Sequence, residues 1–257
     1  MTAATALTRG VPVVGRRAFV EVIMGMPISL HVKALDAGRP DIAQAAGNVF
    51  AVLRTVDDLF SLWRPDSELS RLQAGAVLAG ECHPWQADVL DLCLEAEERT
   101  GGLFTAWHTP EGGHPSYDPT GLVKGWALER AADMLRVVPG ISFCLNAGGD
   151  LIVGQGRGMT GLAPTWTVGI EDPHYPGRVA ATVEVSAGAV ATSGSAARGA
   201  HILDPRTGQR IMRAGSASVV GPDLMWADVW ATAAFVDAYA ARALMQARAP
   251  ESSLTVL

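Results

Sequence analysis

The sequence predicts an α+β fold, with helices packed on antiparallel sheets, on three observations. Helical apolar periods dominate the first half of the chain, short β-branched runs separated by turn residues dominate the second, and the composition supports a large core. Of 257 residues, 49% are hydrophobic and 18% charged, with a mean hydropathy of +0.20. Such a chain buries enough apolar surface to fold without disulfides. The net charge is −6 and the lysines and arginines are scattered, which argues against nucleic acid as a partner.

Residues 1–17 carry Thr, Ala, Gly and Arg without a period and read as a flexible N-terminal tail. One domain is expected over 18–250, followed by a short C-terminal tail at 251–257. Phe19 to Leu35 alternates or runs apolar around Gly25 and Pro27, the pattern of a bent strand or of a strand pair with a bulge. Pro40 to Leu62 is predicted helical: Asp41 sits near its start, and Ile42, Ala46, Val49, Leu53, Val56 and Phe60 form one stripe. Trp63-Arg64-Pro65 ends it. A short helix from Ser67 to Leu72 and a longer one from Pro84 to Thr100 follow, the second with Val89, Leu92, Cys93 and Ala96 on one face.

Gly101 to Thr120 is rich in Gly and Pro and holds Phe104, Trp107 and Tyr117, so it reads as a loop that grips or covers something. Helix returns at Lys124 and runs to Leu135. A strand from Ile141 to Leu145 leads into Asn146-Ala147-Gly148-Gly149-Asp150, a turn whose glycines permit close backbone approach. Strands are expected at Leu151–Val153, Thr165–Ile170, Ala180–Val185, Ala189–Thr192 and Ser216–Val220. One final helix from Leu224 to about Ala247 is announced by Pro222 and Asp223.

Cys82, Cys93 and Cys144 are odd in number and lack metal-ligand spacing, so they are expected to be small buried hydrophobes. No apolar stretch approaches the roughly 18–20 residues of a membrane span, so no transmembrane segment is expected. The first residues lack a basic start with an apolar core, and no lipidatable cysteine lies near them. A cytoplasmic location is therefore expected, or an extracytoplasmic one if the natural N-terminus lies elsewhere.

Four places could carry chemistry. Asp228 and Thr232 are four apart in a helix, so their oxygens project from one face. That pair suits Mg²⁺ or Ca²⁺, although a carboxylate near a helix start and a threonine bonded to the preceding turn need no metal. Lys124, after Asp118-Pro119-Thr120-Gly121-Leu122-Val123, would place a cation at a helix start where an anion could sit, or would simply be exposed. Asn146 to Asp150 is, by itself, a turn. His201 lies between small residues ahead of an Asp204-Pro205-Arg206-Thr207-Gly208 turn and could be a base, a phosphate contact or a surface residue. Nucleophile-elbow, zinc-protease and dinucleotide fingerprints are missing.

Taken in order, these pieces resemble the ApbE family of flavin transferases, FAD:protein FMN transferases formerly described as thiamine biosynthesis lipoproteins. The resemblance spans roughly Val20 to Tyr239. It rests on Met24-Gly25-Met26, Phe60 to Leu69, Asp118 to Glu129, Asn146 to Asp150, Gly169 to Pro173, Ala191 to Gly194, His201 to Gly208, and Ala227 to Thr232. It implies a T-fold-like architecture and a Mg²⁺-dependent enzyme. That enzyme splits FAD, its substrate, joins FMN through its phosphate to a Thr or Ser hydroxyl of an acceptor protein, and releases AMP. The family pattern maps the metal ligands to Asp228, Thr232 and the carbonyl of Gly121. Flavin-nucleotide contacts map to Met24, Trp63, Leu103, Phe104, Thr105, Asp118 and Lys124, with Glu129 as a sugar or adenine partner. The catalytic set is Lys124, Asp228 and, as base for the acceptor hydroxyl, His201.

This chain departs from the family pattern at Thr105, where Asp is usual, at Met26 in place of Thr, and at Gln73 in place of Asn. Two further readings share the site. With water as acceptor the same geometry makes an FAD pyrophosphatase yielding FMN and AMP, and without turnover it makes an FAD-binding protein.

Overall fold

The computed structural model describes residues 14–108, 116–159, 164–195 and 202–257. The chain opens with a hairpin, Gly15–Ile23 (β1) and Met26–Ala34 (β2), paired in unbroken antiparallel register. The predicted bulge is absent: Met24 and Gly25, at φ 54° and 70°, make a two-residue turn of the kind that matches strand twist. The strand also starts inside the stretch predicted as tail. Arg16 and Arg17 alternate across it, and the Arg17 guanidinium lies 4.7 Å from the centre of the Phe19 ring, so polar composition hid a regular strand.

Pro40–Phe60 (α1) begins with proline at its first turn, where the missing N–H is harmless, and all six predicted stripe positions are buried. Glu68–Gln73 (α2) is capped by Ser67, whose hydroxyl accepts from Ser70 N–H at 3.1 Å. After a single 3₁₀ turn at Ala79–Glu81 comes Trp85–Arg99 (α3), then the short pair Trp107–His108 (β3) and Ser116–Tyr117 (β4). Thr120–Arg136 (α4) packs on α1, and its Trp126 ring meets Phe60 and Trp85 edge-on at 5.9 and 5.3 Å.

Ile141–Ala147 (β5) and Asp150–Gln155 (β6) form the next hairpin, and Trp166–Glu171 (β7) with Val179–Val185 (β8) a separate one. Gly188–Gly194 (β9) and Ser216–Gly221 (β10) precede Leu224–Val236 (α5) and Ala238–Arg248 (α6). Ser253–Val256 (β11) ends the chain. The main sheet is antiparallel with order β1-β2-β5-β6-β9-β10-β11. Its inner face meets α1, α4 and α5 in the main core. Val168 and Val185 of the β7–β8 hairpin cover Cys144, Leu151, Val153 and Val190 on the other face.

Two C-terminal expectations are corrected. The single last helix is two, because Asp237 leaves the helical region (φ −148°, ψ 96°) and its carboxylate accepts from Ala240 N–H at 3.1 Å, starting α6. Residues 251–257 are no tail: β11 completes the sheet edge, and Leu257 and Ser216 exchange backbone hydrogen bonds at 3.0 Å. Cys93 and Cys144 are buried as expected, whereas Cys82 is half-exposed. Among the described residues no helix is long and apolar enough to cross a membrane.

Candidate active site

Antiparallel register gathers three connections at one end of the sheet. Ile28 pairs with Ala147, and Ala147 with Asp150, so the Met24-Gly25 and Gly148-Gly149 turns lie at the same end. β9 runs toward that end too, since Thr192 N–H donates to Asp150 Oδ1 at 2.8 Å. The chain therefore leaves β9 beside Asp150 and returns to β10 at Ser216 opposite Gly194. His201 belongs to this connection but lies outside the described residues.

α4 and α5 deliver side chains to the same place. α4 starts at Thr120, four residues earlier than predicted, because Asp118 Oδ1 accepts from Thr120 N–H at 2.9 Å and stabilises the helix start. Lys124 therefore lies a turn inside the helix rather than at its opening, on the face of Gly121 three residues before it. Gly125 permits a close crossing: a Cβ there would stand 2.7 Å from Met225 Cα at the start of α5. Across this contact Lys124 Nζ lies 3.3 Å from Asp228 Oδ2 and forms an ion pair with Asp150 Oδ2. One turn beyond Asp228, Thr232 Oγ1 shares a hydrogen bond of 2.9 Å with Ser193 Oγ on β9.

Both carboxylates are buried, Asp150 at 1% and Asp228 at 3% exposure, and both lie within reach of the Lys124 ammonium. Buried charge is tolerated when paired, as Asp150 and Asp228 are with Lys124. Among the described residues no group of three His, Cys, Asp or Glu side chains could hold a metal. The available donors are a carboxylate and a hydroxyl on one helix face and helix-start carbonyls, a hard-oxygen set that fits Mg²⁺.

The other predicted positions divide. Leu103 and Phe104 are buried in the main core, and the Phe104 ring supports Gly121, whose Cβ would meet it at 3.4 Å. They brace α4 rather than present an open surface. Thr105 Oγ1 donates to Glu97 Oε2 at 2.7 Å, so a carboxylate stands beside the threonine. Trp63 is 94% exposed, with its ring faces open. Met24 is the one described non-glycine residue at positive φ, and its backbone N–H supports the Asp57 carboxylate. Burial holds the Asp57 carboxyl above its usual range, partly countered by Arg64. Asp57 thus ties the Met24 turn to the loop carrying Trp63, because Arg64 Nη1 lies 3.8 Å from it.

Glu129 is half-buried and already bonded within the chain. Its Oε1 accepts from Leu224 N–H at 2.6 Å, capping α5, and its Oε2 pairs with Arg136 at 2.8 Å. Burial nevertheless raises its pKa. With Trp126, Arg130 and Asp223 it lines a cleft of about 300 Å³ to which Lys124, Asp150, Asp228 and Thr232 do not contribute. Sequence reasoning missed Asp150 and Ser193 as members of the cluster. Asp150 follows two glycines at a strand start, a signal of backbone approach that says nothing about which lysine its side chain meets.

The model of the ApbE family matches residues 24–111 and 113–254. Among solved structures the fold is similar to the ApbE protein from Thermotoga maritima, at 18% identity and TM-score 0.74 over 94% of each chain. It is also similar to the flavin transferase ApbE from Vibrio cholerae, at 21% identity and TM-score 0.73 over 95% of this chain and 93% of that one. For the flavinyl transferase ApbE of Pseudomonas stutzeri the values are 20% and 0.71, over 95% and 94%. Comparison with curated proteins finds no match.

Proposed function

The chain belongs to the ApbE family, and from that premise we propose that it is a Mg²⁺-dependent FAD:protein FMN transferase. The observation that carries this reading is the buried Asp150–Lys124–Asp228 group, one helical turn from the Thr232 hydroxyl. The reaction breaks the bond between the FMN phosphorus of FAD and the bridging oxygen, which leaves as part of AMP. An oxygen–phosphorus bond forms to a Thr or Ser hydroxyl of an acceptor protein, the hydroxyl loses its proton and AMP departs.

Transfer at phosphorus asks a protein mainly for position and charge neutralisation. Asp228, Thr232 and the Gly121 carbonyl would hold Mg²⁺, which when bound neutralises charge on the diphosphate. Lys124, paired with Asp150, sets a second positive charge beside that site. Main-chain turns at Met24-Gly25 and Gly148-Gly149 shape the same end of the sheet, and Trp63 offers a flat apolar face for an aromatic ring. His201 is the proposed base for the acceptor hydroxyl, since the strands flanking its connection end beside Asp150 and Ser193.

Incubation with FAD and Mg²⁺, with and without an acceptor domain bearing an attachment threonine, tests the reading. Covalent flavin on a denaturing gel should require acceptor, metal and an intact Asp228, and Asp228→Ala should abolish it. AMP and free FMN without labelling would make the protein a hydrolase. FAD bound but never split would overturn the catalytic assignments.

A further inference from the structure

Lys124 stands between two buried carboxylates, and the one a cation would need is Asp228. An ammonium beside a metal-binding carboxylate competes with the metal, so the site requires something that keeps Lys124 from settling on Asp228. We infer that Asp150 is this positioning residue: it holds the Lys124 ammonium so that a divalent cation, rather than the lysine, wins the Asp228 carboxylate. The inference rests on the reading of Asp228 and Thr232 as the cation-holding pair.

Asp150 is built for the task. Its backbone is fixed by the β5–β6 hairpin through pairing with Ala147, and its Oδ1 is fixed by Thr192 N–H at 2.8 Å. The side chain is 2% exposed, so water cannot screen it. Oδ2 is buried and, apart from the ion pair with Lys124, takes no hydrogen bond. The carboxylate is thus aimed at Lys124 by two main-chain supports from neighbouring strands. Lys124 Nζ lies 3.3 Å from Asp228 Oδ2, close enough to compete there if Asp150 released it. Groups that support metal ligands from behind commonly change metal affinity by 10–100-fold when removed.

Removing Asp150 also deletes a negative charge, which weakens any cation site directly. A double-mutant cycle separates the two effects. Mn²⁺, as a spectroscopic stand-in for Mg²⁺, is titrated by electron paramagnetic resonance into the purified full chain without FAD. Lys124→Met is expected to bind Mn²⁺ several-fold more tightly than wild type, and Asp150→Asn about tenfold more weakly. In the Lys124→Met background, Asp150→Asn should then cost only the part due to the lost charge, clearly less than in the wild-type background.

An equal penalty for Asp150→Asn in both backgrounds would mean that Asp150 acts only as a charge, and would overturn the proposal while leaving the cation site standing. If Asp150→Asn fails a thermal-melt check of folding, Lys124→Met decides alone: binding no tighter than wild type overturns the proposal. Absence of Mn²⁺ binding by the wild type would instead overturn the cation-site reading, and this inference with it.

Discussion

Gly125→Ala tests whether the site depends on the close approach of α4 and α5. The new Cβ would lie 2.7 Å from Met225 Cα, and 3.1 Å from both Leu224 O and Met225 N. All three are backbone atoms, so no rotamer change relieves the clash. Carbon atoms in contact sit about 3.5–4.0 Å apart, so the helices must separate by roughly 1 Å. Overpacking of this kind costs about 1–3 kcal/mol, while alanine in a helix interior returns about 1 kcal/mol relative to glycine. The net loss of stability is then between about zero and 2 kcal/mol. Lys124 and Asp228, 3.3 Å apart across the contact, would be displaced by a similar distance, and a misplacement of about 1 Å loses on the order of 100-fold in rate. Equilibrium urea denaturation measures the first quantity, and covalent FMN incorporation at saturating acceptor measures the second. The expected signature is a folded protein of slightly lowered midpoint with a rate about 100-fold down. A folded Gly125→Ala protein with wild-type rate would refute the dependence of the site on this crossing.

Three further outcomes are expected. Met24 occupies the left-handed region at φ 54°, so Met24→Asn should raise stability by about 1 kcal/mol while weakening FAD binding. Thermal melts and flavin-fluorescence titration check this, and an unchanged melt contradicts the strain. Burial raises the Glu129 pKa above its unfolded value, so its contribution to stability is full below about pH 4.3 and is lost as pH rises through the raised folded value. Glu129→Gln, which still accepts from Leu224 N–H, should therefore gain stability relative to wild type as pH rises above about 4.3. A difference in urea midpoints that stays constant with pH rules this out. Burial also pushes the Cys93 thiol up to about 12 and Cys144 up to about 11. A thiol reagent near neutral pH should then label Cys82 in the native protein and all three cysteines after unfolding, and native labelling of Cys93 would show that the α3 packing is wrong.

The elements legible in the sequence are those whose signal repeats over a few residues. The apolar stripe of α1 repeats at helical spacing, and each of its predicted positions is buried. The Asp228 and Thr232 pair was legible for the same reason, because a spacing of four fixes a shared face before any packing occurs. The break at Asp237 also had a local signal, a carboxylate able to cap the next helix, but the apolar run around it masked that signal. β11 had only a short alternation at the chain end, and its existence depends on β10 offering a sheet edge.

The sequence by itself determined the helix stripes, the turn glycines, and a carboxylate and hydroxyl on one face of α5. Only the tertiary structure decided that Asp150 meets Lys124, that Glu129 accepts from the first N–H of α5, and that three connections share one end of the sheet. The division follows from range: helix and strand periods are set by backbone geometry within one segment. Register between strands and the crossing of α4 over α5 are set by contacts between distant segments, and there the missing side chain of Gly125 decides how closely the charges meet.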